Sequence, residues 1–76
     1  MPKLPQISGQ KLVRALLKDG WEDIHQKGSH LKLIKYHEPI GKSVIIVPMH
    51  RVLKKGTLHG ILKDAHLSVD KLTKLL

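Results

Sequence analysis

Leu12, Val13, Leu16 and Leu17 recur at helical spacing and form one apolar face, with Lys11, Arg14 and Lys18 toward the polar side. Ser8 stands where a hydroxyl can cap such a helix. Gly20 supplies the left-handed residue that ends one. The pattern predicts a first helix over residues 8–19, behind an extended lead-in at 1–7. Trp21 to Gln26 then reads as a first strand, although Glu22 and Asp23 are poor strand formers. Lys27-Gly28-Ser29 is a tight turn. His30 to Tyr36 is a second strand, with Leu31 and Leu33 on one face and His30, Lys32 and Ile34 on the other. His37-Glu38-Pro39-Ile40-Gly41 is a hairpin loop punctuated by Pro and Gly. Lys42 to Val47 is a third strand. Its unbroken run Val44-Ile45-Ile46-Val47 predicts a middle strand, or one covered on both sides. Pro48 stops it.

Met49 to Gly56 is a loop holding His50, Arg51, Lys54 and Lys55. Thr57 is placed to cap a second helix, whose apolar face is Leu58, Ile61, Leu62 and Ala65. Ser68 can cap a short third helix carrying Val69, Leu72 and Leu75 or Leu76. Asp70 in its first turn suits the helix dipole. No internal repeat or linker divides the chain, so residues 1–76 are expected to form one domain. The predicted order is α-β-β-β-α with a terminal helix. Strands joined this closely form an antiparallel meander. The fold class is α+β, with both main helices on one face of a three-stranded antiparallel sheet. The other face is left to solvent or a partner.

Composition narrows the partner. Fourteen Lys and Arg against six Asp and Glu give a net charge of +8. Such a surplus attracts a polyanion: RNA, DNA, an anionic membrane surface or an acidic protein. Charge does not choose among them. A chain of 76 residues buries only roughly 60% of its unfolded surface, so its apolar helix faces are needed inside. They are core, not a membrane surface. Cysteine is absent, which removes disulfides, thiolate metal sites and a cysteine nucleophile, and fits a cytoplasmic protein. The first residues lack the apolar stretch of a signal peptide. Val44–Val47 is too short to span a bilayer. His59 and His66 lie about 10.5 Å apart along a helix, too far to share one ion, so no metal or cofactor is expected. Two aromatics, Trp21 and Tyr36, are too few for a stacking platform on single strands.

Several segments then stand in a telling order: Asp19-Gly20-Trp21 after the first helix, Gln26-Lys27-Gly28-Ser29-His30, Val47-Pro48-Met49-His50, Leu53-Lys54-Lys55-Gly56-Thr57-Leu58 and Ile61-Leu62-Lys63. In order and spacing they resemble the HicA toxins of HicAB toxin–antitoxin pairs, over roughly residues 8–70. The resemblance implies a fold like the double-stranded-RNA-binding domain. It implies a ribosome-independent mRNA endoribonuclease, an mRNA interferase, that inhibits growth and is neutralised by a HicB antitoxin. His30 aligns with the family's catalytic histidine. One departure is Ala65-His66-Leu67, where the family usually has glycine in the middle. His66 there needs a less favourable left-handed conformation or a different cap.

The residues themselves support a chemistry of this kind. RNA carries its own nucleophile, the 2′-hydroxyl. An enzyme then needs a base for that proton, an acid for the leaving oxygen and cations for the charge on phosphorus. An imidazole suits either proton task, a contribution of roughly 10²–10⁴ in rate. His30 is the candidate, and its bland alternative is a solvated histidine at a strand start. Lys27 and Lys32 would draw in phosphate and stabilise charge developing on it. Gly28 serves the turn and can let phosphate approach the backbone. Ser29 reads as a turn hydroxyl bonded to nearby backbone, not as a nucleophile, since adjacent strand residues point to opposite faces. His50, Lys54, Lys55 and Lys63 are candidate phosphate contacts. Lys55-Gly56-Thr57 at a helix start is a candidate anion site. Lys27, His25 and His50 are all open as the general acid. Two other classes remain: a non-catalytic double-stranded-RNA-binding module, which needs no particular histidine, and a basic adaptor for an acidic protein.

Overall fold

A computed structural model describes residues 3–39 and 41–76. Met1 and Pro2 of the predicted lead-in, and Ile40 of the predicted hairpin loop, lie outside the described residues. Helix α1 (Gly9–Lys18) is capped as its sequence implies: the Ser8 hydroxyl accepts the Lys11 N–H at 3.0 Å. Its C-terminus closes in a Schellman motif. Trp21 N–H donates to the Leu16 carbonyl at 3.0 Å and Gly20 N–H to that of Leu17 at 3.2 Å, with Gly20 at φ +97°. Leu12, Val13 and Leu16 turn inward together with Ala15. Leu17, expected on that face, is 42% exposed.

Strands β1 (Glu22–Lys27), β2 (His30–Tyr36) and β3 (Lys42–Pro48) pair antiparallel in the order β1-β2-β3. The middle strand is therefore β2. The expectation that β3 lies in the middle, or is covered on both sides, is corrected. Ile45 and Val47 enter the core, whereas Val44 and Ile46 stand 42% and 53% exposed on the opposite face. The run is apolar on both faces but covered on one. Ile34 also lies on the open face, between its partners Glu22 and Val44; it is buried, yet stands apart from the main core cluster.

Helix α2 (Lys55–Asp64) begins two residues before the predicted cap. Thr57 does not cap it. The N-cap is Lys54, with extended backbone and no side-chain cap bond. The cause lies just upstream: Leu53 is buried, and its N–H donates to the Ile7 carbonyl at 2.9 Å. The chain is anchored there and turns directly into the helix. At the far end, Leu67 N–H donates to Leu62 O at 2.9 Å and His66 N–H to Lys63 O at 3.1 Å. This is a second Schellman motif, and His66 takes its left-handed position at φ 54°. Helix α3 (Val69–Leu75) follows, with Ser68 Oγ accepting the Lys71 N–H at 3.1 Å.

One apolar cluster joins these elements. Leu31, Leu33, Ile45 and Val47 from the sheet meet Leu12, Leu16, Leu58, Leu62 and Leu72 from the helices, and Trp21. All three helices contribute from the same side of the sheet. Two polar contacts pin the layers: the Lys35 ammonium donates to Asp19 Oδ2 at 3.2 Å, and Lys18 Nζ to the Leu75 carbonyl at 3.1 Å. Such partly exposed pairs contribute at most about 1 kcal/mol each, so packing carries the fold. The tightest junction is at Gly9. Its N–H donates to His50 O at 2.9 Å, and a Cβ there would overlap the Pro48 carbonyl oxygen and press on Met49 Cα at 3.0 Å.

Two stability predictions follow from these backbone positions. Gly9→Ala should destabilise by about 1–3 kcal/mol, because the atoms it meets are backbone and cannot rotate away; a lower urea midpoint at unchanged slope is the readout. His66→Gly should do the opposite. Relief of the left-handed strain, about 1–2 kcal/mol, exceeds the added unfolded-state entropy of about 0.4–1 kcal/mol. A melting temperature that fails to rise would show that His66 is not strained in its cap.

Candidate functional site on the open face of the sheet

The β1–β2 connection is two residues long, Gly28 and Ser29, closed by the Lys27–His30 pair. Gly28 sits at φ +59° with open space around it. Glycine at the first position of a two-residue loop, with positive φ, is the pattern that matches strand twist in a tight hairpin. Gln26 Nε2 donates to the Gly28 carbonyl at 3.2 Å. Ser29 differs from expectation: its hydroxyl makes no hydrogen bond among the described residues, and its carbonyl accepts the Met49 N–H at 2.6 Å. That bond carries the β2–β3 ladder one step past Pro48. It ties the Met49 backbone to the turn.

Register decides which side chains share the open face. Directly paired residues point the same way, with Cβ atoms about 4.5–5.5 Å apart. Lys27, His30 and Pro48 form one row across the sheet; His25, Lys32 and Ile46 form the next. His30 and Lys32 thus stand on the central strand, flanked by β1 on one side and β3 on the other. His25, Lys27, His30, Lys32 and Ile46 line one shallow groove of about 450 Å³. All five side chains are exposed. No helix covers them, since the helices pack on the other face.

The two-residue turn makes this gathering possible. Counted back from the Lys27–His30 pair, Gln26 meets Leu31 and His25 meets Lys32 in unbroken register, so period two alone puts His25 and Lys27 on the face of His30. Beyond His25 the register slips: Glu22 and Asp23 pair with Ile34 and Leu33, so one extra residue, Ile24, is inserted in β1 as a bulge.

The other predicted residues are placed differently. His50 is exposed on the loop after β3 and does not line the groove. Lys54 and Lys55 sit at the start of α2, and Lys55 borders a separate hollow with Lys3, Gln6, His59 and Asp70. Lys63 is exposed in the last turn of α2. These cations ring the molecule but do not join the groove. Sequence reasoning reached His30, Lys27 and Lys32, and held His25 among three open candidates for the acid. It did not find Ile46 as the groove's apolar wall. His25 follows from the turn and from alternation, two residues before Lys27 on the same face.

Among the described residues no group of three or more His, Asp or Glu side chains gathers as a metal site, and no helix is long and apolar enough to cross a membrane. What the groove can do is hold an anion between two ammonium groups, with imidazoles beside it. A family model described as HicA toxin of bacterial toxin–antitoxin matches residues 9–67. The match takes in α1, the whole sheet with its groove, and α2. No curated protein matches the chain.

Proposed function

The chain belongs to the HicA toxin family of bacterial toxin–antitoxin systems, and on that premise we propose that it is a cytoplasmic, ribosome-independent mRNA endoribonuclease that uses His30. The observation that carries this reading is the placement of His30. It stands on the central strand of an uncovered sheet face, in a groove with Lys27 and Lys32. A phosphodiester laid there meets two cations, and its ribose 2′-hydroxyl comes within reach of an imidazole. The lysines bind and neutralise; the imidazole moves a proton. On an open face the dielectric is high, so each lysine–phosphate contact is worth about 1 kcal/mol near 4 Å in bulk water, and about 4 kcal/mol once RNA covers the groove. Proton transfer contributes roughly 10²–10⁴ in rate. Loss of the imidazole should therefore be the more specific lesion.

Gly28 and Ser29 would let the strand pass close to the turn backbone. His50, Lys54 and Lys55 would lengthen the electrostatic footprint beyond the groove, along the loop that leaves β3. Such outlying cations attract RNA without reading its sequence.

We further propose that the partner is a HicB antitoxin that covers this same face. Val44 and Ile46 are exposed there by 42% and 53%, on the face that carries Lys27 and Lys32, with Tyr36 exposed at its far end. An apolar patch rimmed by cations suits a partner that brings apolar and acidic side chains.

Two outcomes test the reading. His30→Ala should lower cleavage of RNA in vitro by roughly 10²–10⁴, abolish growth inhibition, and leave RNA binding largely intact. Unchanged cleavage by the pure variant sinks the catalytic role of His30, whereas RNA binding without any cleavage by the parent protein would favour a non-catalytic double-stranded-RNA-binding module. For the partner, a saturated toxin–antitoxin complex should show no RNA cleavage, and Ile46→Asp should weaken the complex without unfolding the toxin. Cleavage that persists at saturation would place the partner elsewhere.

A further inference from the structure

We infer that His25 is the second catalytic residue, completing a two-imidazole site with His30; this rests on the endoribonuclease reading above. Two observations converge. His25 pairs with Lys32 and His30 with Lys27 in adjacent rows, so the two histidines are diagonal neighbours on one face. Diagonal positions lie roughly 7–8 Å apart, within reach of long and aromatic side chains. The tight turn fixes this placement, since the register from Lys27–His30 through His25–Lys32 is unbroken. Both imidazoles line the same groove as the two lysines.

The spacing suits a phosphate held between the rings. One neutral imidazole accepts the 2′-hydroxyl proton. The 2′-oxygen forms a bond to phosphorus, and the bond from phosphorus to the 5′-oxygen breaks. The other imidazole, as imidazolium, gives its proton to that departing oxygen. The products are a 2′,3′-cyclic phosphate and a 5′-hydroxyl, and solvent exchange resets the two rings. No redox change or added co-reactant is needed. Lys27 and Lys32 carry the phosphate charge, which frees both histidines for proton transfer. The charged or titratable groups on this face from the three strands are Glu22, His25 and Lys27; His30, Lys32 and Tyr36; and Lys42. Glu22 is separated from the groove by the bulge, and Tyr36 and Lys42 stand at the far end of the sheet.

The test begins from a cleavage site mapped with the parent protein, and uses an oligoribonucleotide spanning it. A second oligonucleotide carries sulfur in place of the bridging 5′-oxygen, a leaving group that needs no acid. His25→Ala should lower kcat on the oxygen substrate by roughly 10²–10⁴ with RNA affinity little changed. The parent should show a bell-shaped pH dependence of kcat and the variant should lose one limb. Sulfur should restore cleavage to one variant of the pair, whichever lacks the acid: His25→Ala or His30→Ala. Near-parental kcat in His25→Ala, a loss confined to affinity, or a loss that sulfur rescues in neither variant overturns the pairing. If the parent protein cleaves no RNA, the endoribonuclease reading fails instead, and the two failures are distinct. His25 is exposed on an edge strand, so thermal unfolding should match the parent; His25→Gln, which keeps polarity and bulk without proton transfer, should show the same kinetic loss.

Discussion

Burial in this fold is one-sided: the three helices pack against a single face of the three-stranded sheet. Every helix is committed to that face: Leu12 and Leu16 of α1, Leu58 and Leu62 of α2 and Leu72 of α3 enter one cluster with Leu31, Leu33, Ile45 and Val47. The other face is consequently bare, and it is bare at the place where the chain keeps its histidine and lysines. One-sided burial thus does two things. It supplies the cooperative core on which a small domain depends, and it leaves a flat, cationic surface wide enough for a polymer.

Where local chemistry fixes the backbone, residues predicted it well. Ser8 and Ser68 cap helices because a hydroxyl accepts an early N–H. Gly20 closes α1 because a left-handed residue is needed there. The demand at His66 was also readable, since the same motif asks a non-glycine residue for φ 54°. Where tertiary contacts decide, prediction failed. Val44-Ile45-Ile46-Val47 looked covered on both sides, but periodicity reports side-chain type and not whether anything packs against it. Thr57 looked like a cap, yet the anchoring of Leu53 to Ile7 moves the cap of α2 three residues earlier, to Lys54.

The candidate site divides along the same line. His30, Lys27 and Lys32 were legible because a short turn fixes what lies on either side of it. The same turn sets His25 opposite Lys32, since strand faces alternate with period two from the Lys27–His30 pair. The slip beyond His25 was not legible: Ile24 is inserted, and Glu22 and Asp23 move one step along β2. Ile46 was not legible as the groove's wall either, because its row is set by the pairing of β3 with β2.

Openness has a chemical consequence. Fixed charges act weakly in water and strongly where water is excluded. A bare groove therefore contributes little electrostatic stabilisation until something lies over it. If that something is RNA, the substrate supplies its own low-dielectric cover, and Lys27 and Lys32 strengthen at the moment the imidazoles are needed. If it is the proposed antitoxin, the same apolar residues, Ile46 among them, and the same cations serve the interface. Substrate and inhibitor would then compete for one surface, since the described residues form a single sheet with one face left uncovered.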